Sequence, residues 1–194
     1  MSITAPSTAT ALPLRPGDWA LDPTHSAVTF SIRHLGLARV RGRFDRFTTT
    51  LAVGETAADT RVTATIDLAS VNTGQPDRDG HLRSTDFFST ERHPEMRFVS
   101  GAISGDGASW QMPGELTLNG VTRPVALDVE FHGVEVFPGD QSLRAGFTAT
   151  GALRRSAFGI EFGLLPLGGD KLALGDEVKI EIDVQFVAPG AAGA

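Results

Sequence analysis

Between Val28 and Val187 apolar and polar residues alternate with a period of two over eight stretches, the pattern of strands whose two faces meet different surroundings. The first sets Val28, Phe30, Ile32 and His34 on one face and Thr29, Ser31 and Arg33 on the other. It runs through HLGLARV into a second, around RGRFDRFTTTLAV, where the uneven spacing of Phe44 and Phe47 predicts a bulge near Asp45. RVTATIDL, EMRFVSGAI, SWQMPGELTL, VTRPVALDVEF, LRAGFTATGAL and EVKIEIDVQFV supply the other six. The fifth and sixth meet at Asn119-Gly120, a pair suited to the positive backbone angles of a tight hairpin.

One segment breaks the alternation. PDRDGHLRSTDFF starts with Pro76, which suits the first turn of a helix, so a short helix is predicted from Pro76 to about Arg83, weakened by Gly80. Eight antiparallel strands with one apolar face each hide that face by closing into a barrel, which also removes exposed edges; a two-sheet sandwich satisfies the same pattern.

Composition narrows the functions. The chain has 194 residues, 41% hydrophobic and 21% charged, enough for one domain with a real core. A formal charge of −6 offers no basic field for nucleic acid, and the absence of cysteine removes thiol chemistry and disulfides. The lead MSITAPSTATALPLRPGD, residues 1–18, is rich in small residues and Pro, lacks the pattern of a secretory signal, and is expected to be disordered, the protein being cytoplasmic. Residues 188–194 are expected to form a flexible tail, leaving one folded body from Trp19 to Val187; no window is apolar enough for a membrane-spanning helix.

Four separate stretches carry a resemblance: WALDPTHSAVTFSIRHLGLARVRGRF, IDLASVNTGQPDRDGHLRSTDFFSTERHPEMRF, GELTLNGVTRPVALDVEF, and RRSAFGIEFG with LGDEVKIEIDVQ. In order and spacing they resemble the YceI-like family of lipocalin-type, polyisoprenoid-binding barrels over the whole body. The resemblance implies an all-β, eight-stranded antiparallel barrel with a short helix between strands three and four. It implies a long apolar cavity for a polyprenyl chain or isoprenoid quinone tail, held by a carrier, store or sensor, and it implies no enzymatic chemistry. Many bacterial relatives are exported to the periplasm, a role for which this chain shows no signal.

The candidate ligand-binding residues follow from strand parity and the resemblance together. Phe30, Ile32, Phe44, Ile66, Phe98, Leu116, Phe131 and Phe147 form the predicted inner wall, and His34 shares the parity of Phe30 and Ile32 at the strand's end, where it could bond a ligand head group or a neighbouring carbonyl. Leu82 and Phe87, with Phe88, plug one end, and Phe158 in RRSAFG completes the set. At about 0.8 kcal/mol per buried methylene, roughly 15 carbons give about 12 kcal/mol gross, which leaves micromolar binding within reach after ordering costs.

The rival readings are a barrel filled by its own side chains and serving as an interaction module, and a hydrolase-type enzyme using His34 or the Asp77/His81 pair, one helical turn apart. No metal is expected: His25 and His34 stand ~30 Å apart along a strand at roughly 3.3 Å per residue, and no HExxH pattern exists. No cofactor is expected beyond a bound polyisoprenoid or isoprenoid quinone. The expected partner is an apolar lipid, with a homodimer and transient membrane contact left open. Arg39, Arg41, Arg43 and Arg46 form either the wet face of the second strand or an attraction for an anionic head group. FGLLPLGGDKLALGDE, with its leucines among glycines, is read as an apolar lid or a loop packed over one barrel end.

Overall fold

The structure, a computed structural model, describes residues 11–169 and 171–190. In chain order its strands are β1 (Gly17–Leu21), β2 (Ala27–His34), β3 (Ala38–Phe44), β4 (Phe47–Val53), β5 (Arg61–Asp67), β6 (Val71–Asn72), β7 (Glu95–Ser100), β8 (Ser104–Asp106), β9 (Ser109–Leu118), β10 (Val121–Val136), β11 (Leu143–Arg154), β12 (Pro166–Gly168), β13 (Lys171–Leu172) and β14 (Leu174–Val187). A single α-helix among the described residues, α1, spans Pro76–Arg83.

Every pairing is antiparallel, and the sheet closes. β14 pairs with β11 on one side; on the other it meets β2 for most of its length and β1 at its end. β1 and β2 are thus one wall, broken by a 3-10 turn at Pro23–His25 that Asp22 caps through the Thr24 N–H at 3.0 Å. β3 and β4 form the next wall, broken at Asp45 and Arg46 where the sequence predicts a bulge. Taking β5 with β6 in the same way, eight walls close the ring, and the lipocalin-like barrel stands in place of a sandwich.

Local chemistry matches these elements. The β9–β10 hairpin turns on Asn119 at φ 51° and Gly120 at φ 74°, and the His93 ring covers Gly120 so closely that a Cβ there would stand 2.8 Å from its Cε1. α1 starts on Pro76 and carries Asp77 and Asp79 in its first turn, where the helix dipole favours carboxylates. Asp79 is buried because its Oδ1 accepts from both the Thr73 N–H (2.9 Å) and the Thr73 hydroxyl (2.5 Å).

The two ends of the barrel differ. At the end where β1, β4, β11 and β14 meet their connections, Leu14, Trp19, Leu51, Val53, Ala145, Phe186 and Ala188 form a compact cork. This corrects the expectation for the lead and the tail: Leu14 is buried, Trp19 Nε1 donates to Arg15 O at 3.0 Å, Gly17–Leu21 is a strand, and Ala188 N–H donates to Leu143 O at 2.9 Å. Residues 1–10 and 191–194 of those two segments lie outside the described residues. The other end is covered by α1, a 3-10 turn at Arg155–Phe158, and the segment after it. Within that segment the expected lid is a small ribbon, β12 paired with β13.

Candidate functional site: one apolar cavity

The barrel encloses a cavity of about 370 Å³ whose wall is almost wholly apolar. The volume falls in the range of pockets that hold small ligands. Parity builds the wall: Val178, Ile180, Ile182, Val184 and Phe186 of β14 all line it, while Lys179, Glu181 and Gln185 alternate outward. Where two walls approach closely, a glycine makes room for an aromatic ring. Gly42 lies under Phe30, its cross-strand partner, and Gly114 lies under Phe98.

Ten of the twelve residues singled out by sequence line this cavity: Phe30, Ile32, His34, Phe44, Ile66, Leu82, Phe87, Phe98, Leu116 and Phe147. Two do not. Phe131 keeps the inward parity of β10, but its ring packs on Phe147 at 5.2 Å, and Phe147 takes the lining position. Phe158 is 1% exposed in the Arg155–Phe158 turn, buried in the core behind the wall, with its carbonyl accepting from Asn119 Nδ2 at 3.2 Å.

His34 reaches the cavity from its mouth and is exposed there, not held in the core. The Asp77/His81 pair of the rival enzymatic reading gives way to another: His81 Nε2 bonds Asp86 Oδ2 at 2.8 Å. The chain turns back after Arg83, with Phe88 N–H donating to Leu82 O, and so brings Asp86 to the imidazole while the Phe87 and Phe162 rings stack edge-on against it at 5.0 and 4.7 Å. Of the arginines on the second predicted strand, Arg43 pairs with Asp45 and Arg46 with Asp67; Arg39, Arg41 and Arg43 alternate with Val40, Gly42 and Phe44, Arg46 lies in the break between β3 and β4, and none of the four lines the cavity.

Sequence reasoning missed the cations that do reach the wall. Arg155 is 3% exposed and continues the inward parity of Phe147, Ala149 and Leu153, a signal that extending β11 by two residues would have revealed. Its Nε donates to Gly175 O (2.8 Å), Nη1 to Ile160 O (3.0 Å) and Nη2 to Leu174 O (3.1 Å), so one guanidinium fastens the end of β11 to the start of β14. Burial pulls its pKa below the ordinary arginine value, opposed by the charge of Asp176. Arg78 of α1 also touches the cavity, its Nε donating to Thr73 Oγ1 at 2.7 Å. Among the described residues no three His, Asp or Glu side chains gather as a metal site, and no helix is long and apolar enough to cross a membrane.

These features define an eight-stranded, lipocalin-like barrel around a greasy chamber, with the arginine and histidine side chains of its lining gathered at one end and scattered threonines elsewhere. The YceI-like domain matches residues 19–186, and the chain belongs to that family. A UPF0312 protein of Staphylococcus aureus (strain USA300) is 36% identical over 171 residues, covering 87% of this chain and 96% of the relative. One of Staphylococcus epidermidis is 38% identical over 167 residues, covering 85% and 94%. Among solved structures, the Campylobacter jejuni YCEI protein is similar with a TM-score of 0.67 and 29% identity, over 80% of this chain and 89% of that one. Burkholderia cenocepacia BcnA gives 0.72 at 23% identity, over 85% and 98%. A polyisoprenoid binding domain from Saccharophagus degradans gives 0.67 at 19% identity, over 90% and 100%; these last two show the shared fold.

Proposed function

We propose that the barrel binds a long apolar isoprenoid-type lipid, a polyprenyl chain or quinone tail, and acts as its carrier, store or sensor rather than as an enzyme. The observation that carries this reading is the cavity itself. Its wall is built mostly from aliphatic and aromatic side chains, and its ionisable groups, His34, Arg78, His81 and Arg155, gather at the mouth end. A chain-like ligand gains from such a wall at about 0.8 kcal/mol per buried methylene, whereas a sugar or nucleotide would leave its polar groups unpaired. The described side chains leave this chamber open where a filled barrel would close it, which favours cargo over a purely structural module. The imidazole of His81 is held by an exposed carboxylate and two aromatic rings, and among the described residues no hydroxyl is hydrogen-bonded to it for activation.

Trp110 lines the cavity and is 3% exposed, while Trp19 sits in the cork, so the two tryptophans report on different places. Titrating the delipidated protein with a polyprenyl quinone should quench Trp110 fluorescence saturably. The quench should vanish in Trp110→Phe and weaken at least tenfold in affinity in Phe147→Glu, which sets a charge in the wall. Absence of any saturable quench in the parent would sink the reading.

A further inference from the structure

The mouth of the barrel keeps leucine where both water and backbone geometry disfavour it. In the β2–β3 turn Leu37 N–H donates to His34 O at 3.0 Å, with Leu35 at φ 53° and Gly36 at φ 69°. Asn or Gly ordinarily takes the first of these positions, since a bulky side chain is strained there. Yet position 35 is Leu, 38% exposed, and Leu37 beside it is 79% exposed. Across the mouth Leu165 is 66% exposed, Leu167 51% and Phe162 48%.

These residues belong to one surface. Leu35 N–H donates to Ala173 O at 2.9 Å, Ala173 N–H donates to Leu165 O at 2.9 Å, and the Lys171 side chain lies beside Gly36. Behind the leucines, Arg33 and Arg39 stand directly opposite each other across β2 and β3, with Arg41 facing Ser31 one step on. Like charges in that relation repel. Among the described residues none of these three arginines has a carboxylate within 4.0 Å, whereas Arg43 and Arg46 farther along the same wall both have one.

We propose that this rim docks on an anionic lipid bilayer, with Leu37, Leu165 and Leu167 entering the headgroup boundary and Arg33, Arg39 and Arg41 meeting lipid phosphates. The orientation sets the mouth of the cavity against the membrane, where an isoprenoid passes between bilayer and barrel without crossing water. The proposal rests on the cargo reading for its purpose, but the surface stands on its own observations. A second copy of the chain is the weaker occupant: a two-fold contact would bring the arginine cluster of one copy toward that of the other. An anionic surface instead relieves their repulsion, on a chain whose overall charge of −6 would otherwise turn it from such a membrane.

The test is flotation of the full chain with vesicles of phosphatidylcholine alone and of phosphatidylcholine mixed with phosphatidylglycerol. Binding is expected on the mixed vesicles and should fall with salt. Each near-surface arginine contributes roughly fivefold in partition, so the double substitution Arg33→Ser/Arg39→Ser should lower it about twenty-five-fold. Leu37→Ser should lower it roughly tenfold. Circular dichroism verifies folding, and the Trp110 quench by quinone, read in the same variants, should be unchanged. No flotation of the parent on anionic vesicles, or flotation equal in parent and variants, overturns the proposal. So does a dimer in size exclusion that Leu37→Ser dissociates while the parent fails to float. Flotation without any quench would defeat the cargo reading and leave the docking surface standing.

Discussion

The ring of Phe30 lies over Gly42 across the β2–β3 pair, and a Cβ at position 42 would stand 2.8 Å from Phe30 Cε1 and 2.9 Å from Thr73 Cγ2. This glycine is therefore the seat of an aromatic wall residue just inside the mouth. Gly42→Ala forces Phe30 off its place and should cost about 1 to 3 kcal/mol while weakening capture of an apolar fluorophore such as N-phenylnaphthylamine. Urea unfolding and a fluorophore titration read the two effects; an unchanged midpoint with unchanged affinity would contradict this packing.

Arg155 holds three backbone carbonyls from within the wall. Arg155→Met fills similar volume but leaves those carbonyls without their donor, and should destabilise the protein by about 3 kcal/mol. A urea midpoint equal to that of the parent would show that water replaces the guanidinium without loss.

Much of this architecture was legible from alternation alone. The eight strands are long enough for period two to be unmistakable, as in β14, and the Phe44/Phe47 spacing located the break in the second wall. Pro76 marked the start of α1. Three features were not legible for physical reasons. β1 is five residues long, follows a Pro-rich lead, and forms because β4 and β14 offer it edges distant in sequence. The partner of His81 is set by a chain reversal after the helix, which periodicity does not encode. Phe131 has the inward parity of β10, but which of the two packed rings, Phe131 or Phe147, meets the cavity depends on packing depth along the barrel.

Asp22 makes stability depend on acidity. Burial pushes its carboxyl up, but hydrogen bonds from His25 and the Thr24 N–H, with the charges of His25 and Arg144, outweigh burial and hold it below the ordinary aspartate value. The folded form thus binds its proton less readily than the unfolded chain does. The associated stability is present above the unfolded value, near pH ~4, and is lost as pH falls through the lower folded value. Asp22→Asn should cost about 2 kcal/mol near neutrality, with the gap to the parent narrowing on acidification in urea midpoints. A gap independent of pH would show that the charge of Asp22 is not what matters.

Gly80 sits inside α1 with open space where a Cβ would go. Gly80→Ala should therefore stabilise the protein by about 0.5 to 1 kcal/mol by restricting the unfolded chain and favouring helix. A raised denaturation midpoint with unaltered fluorophore binding is the expected result, and a lowered midpoint would mean that the helix needs the freedom of glycine.

The central claim is that the chamber carries an isoprenoid lipid, and mass spectrometry of an organic extract of gently purified protein tests it most directly. Alongside it, the same extract is taken from Phe147→Glu. The account predicts a polyprenyl species in near-stoichiometric amount from the parent and its loss from the variant. An empty extract from the parent, with no uptake of added polyprenyl quinone, would contradict it.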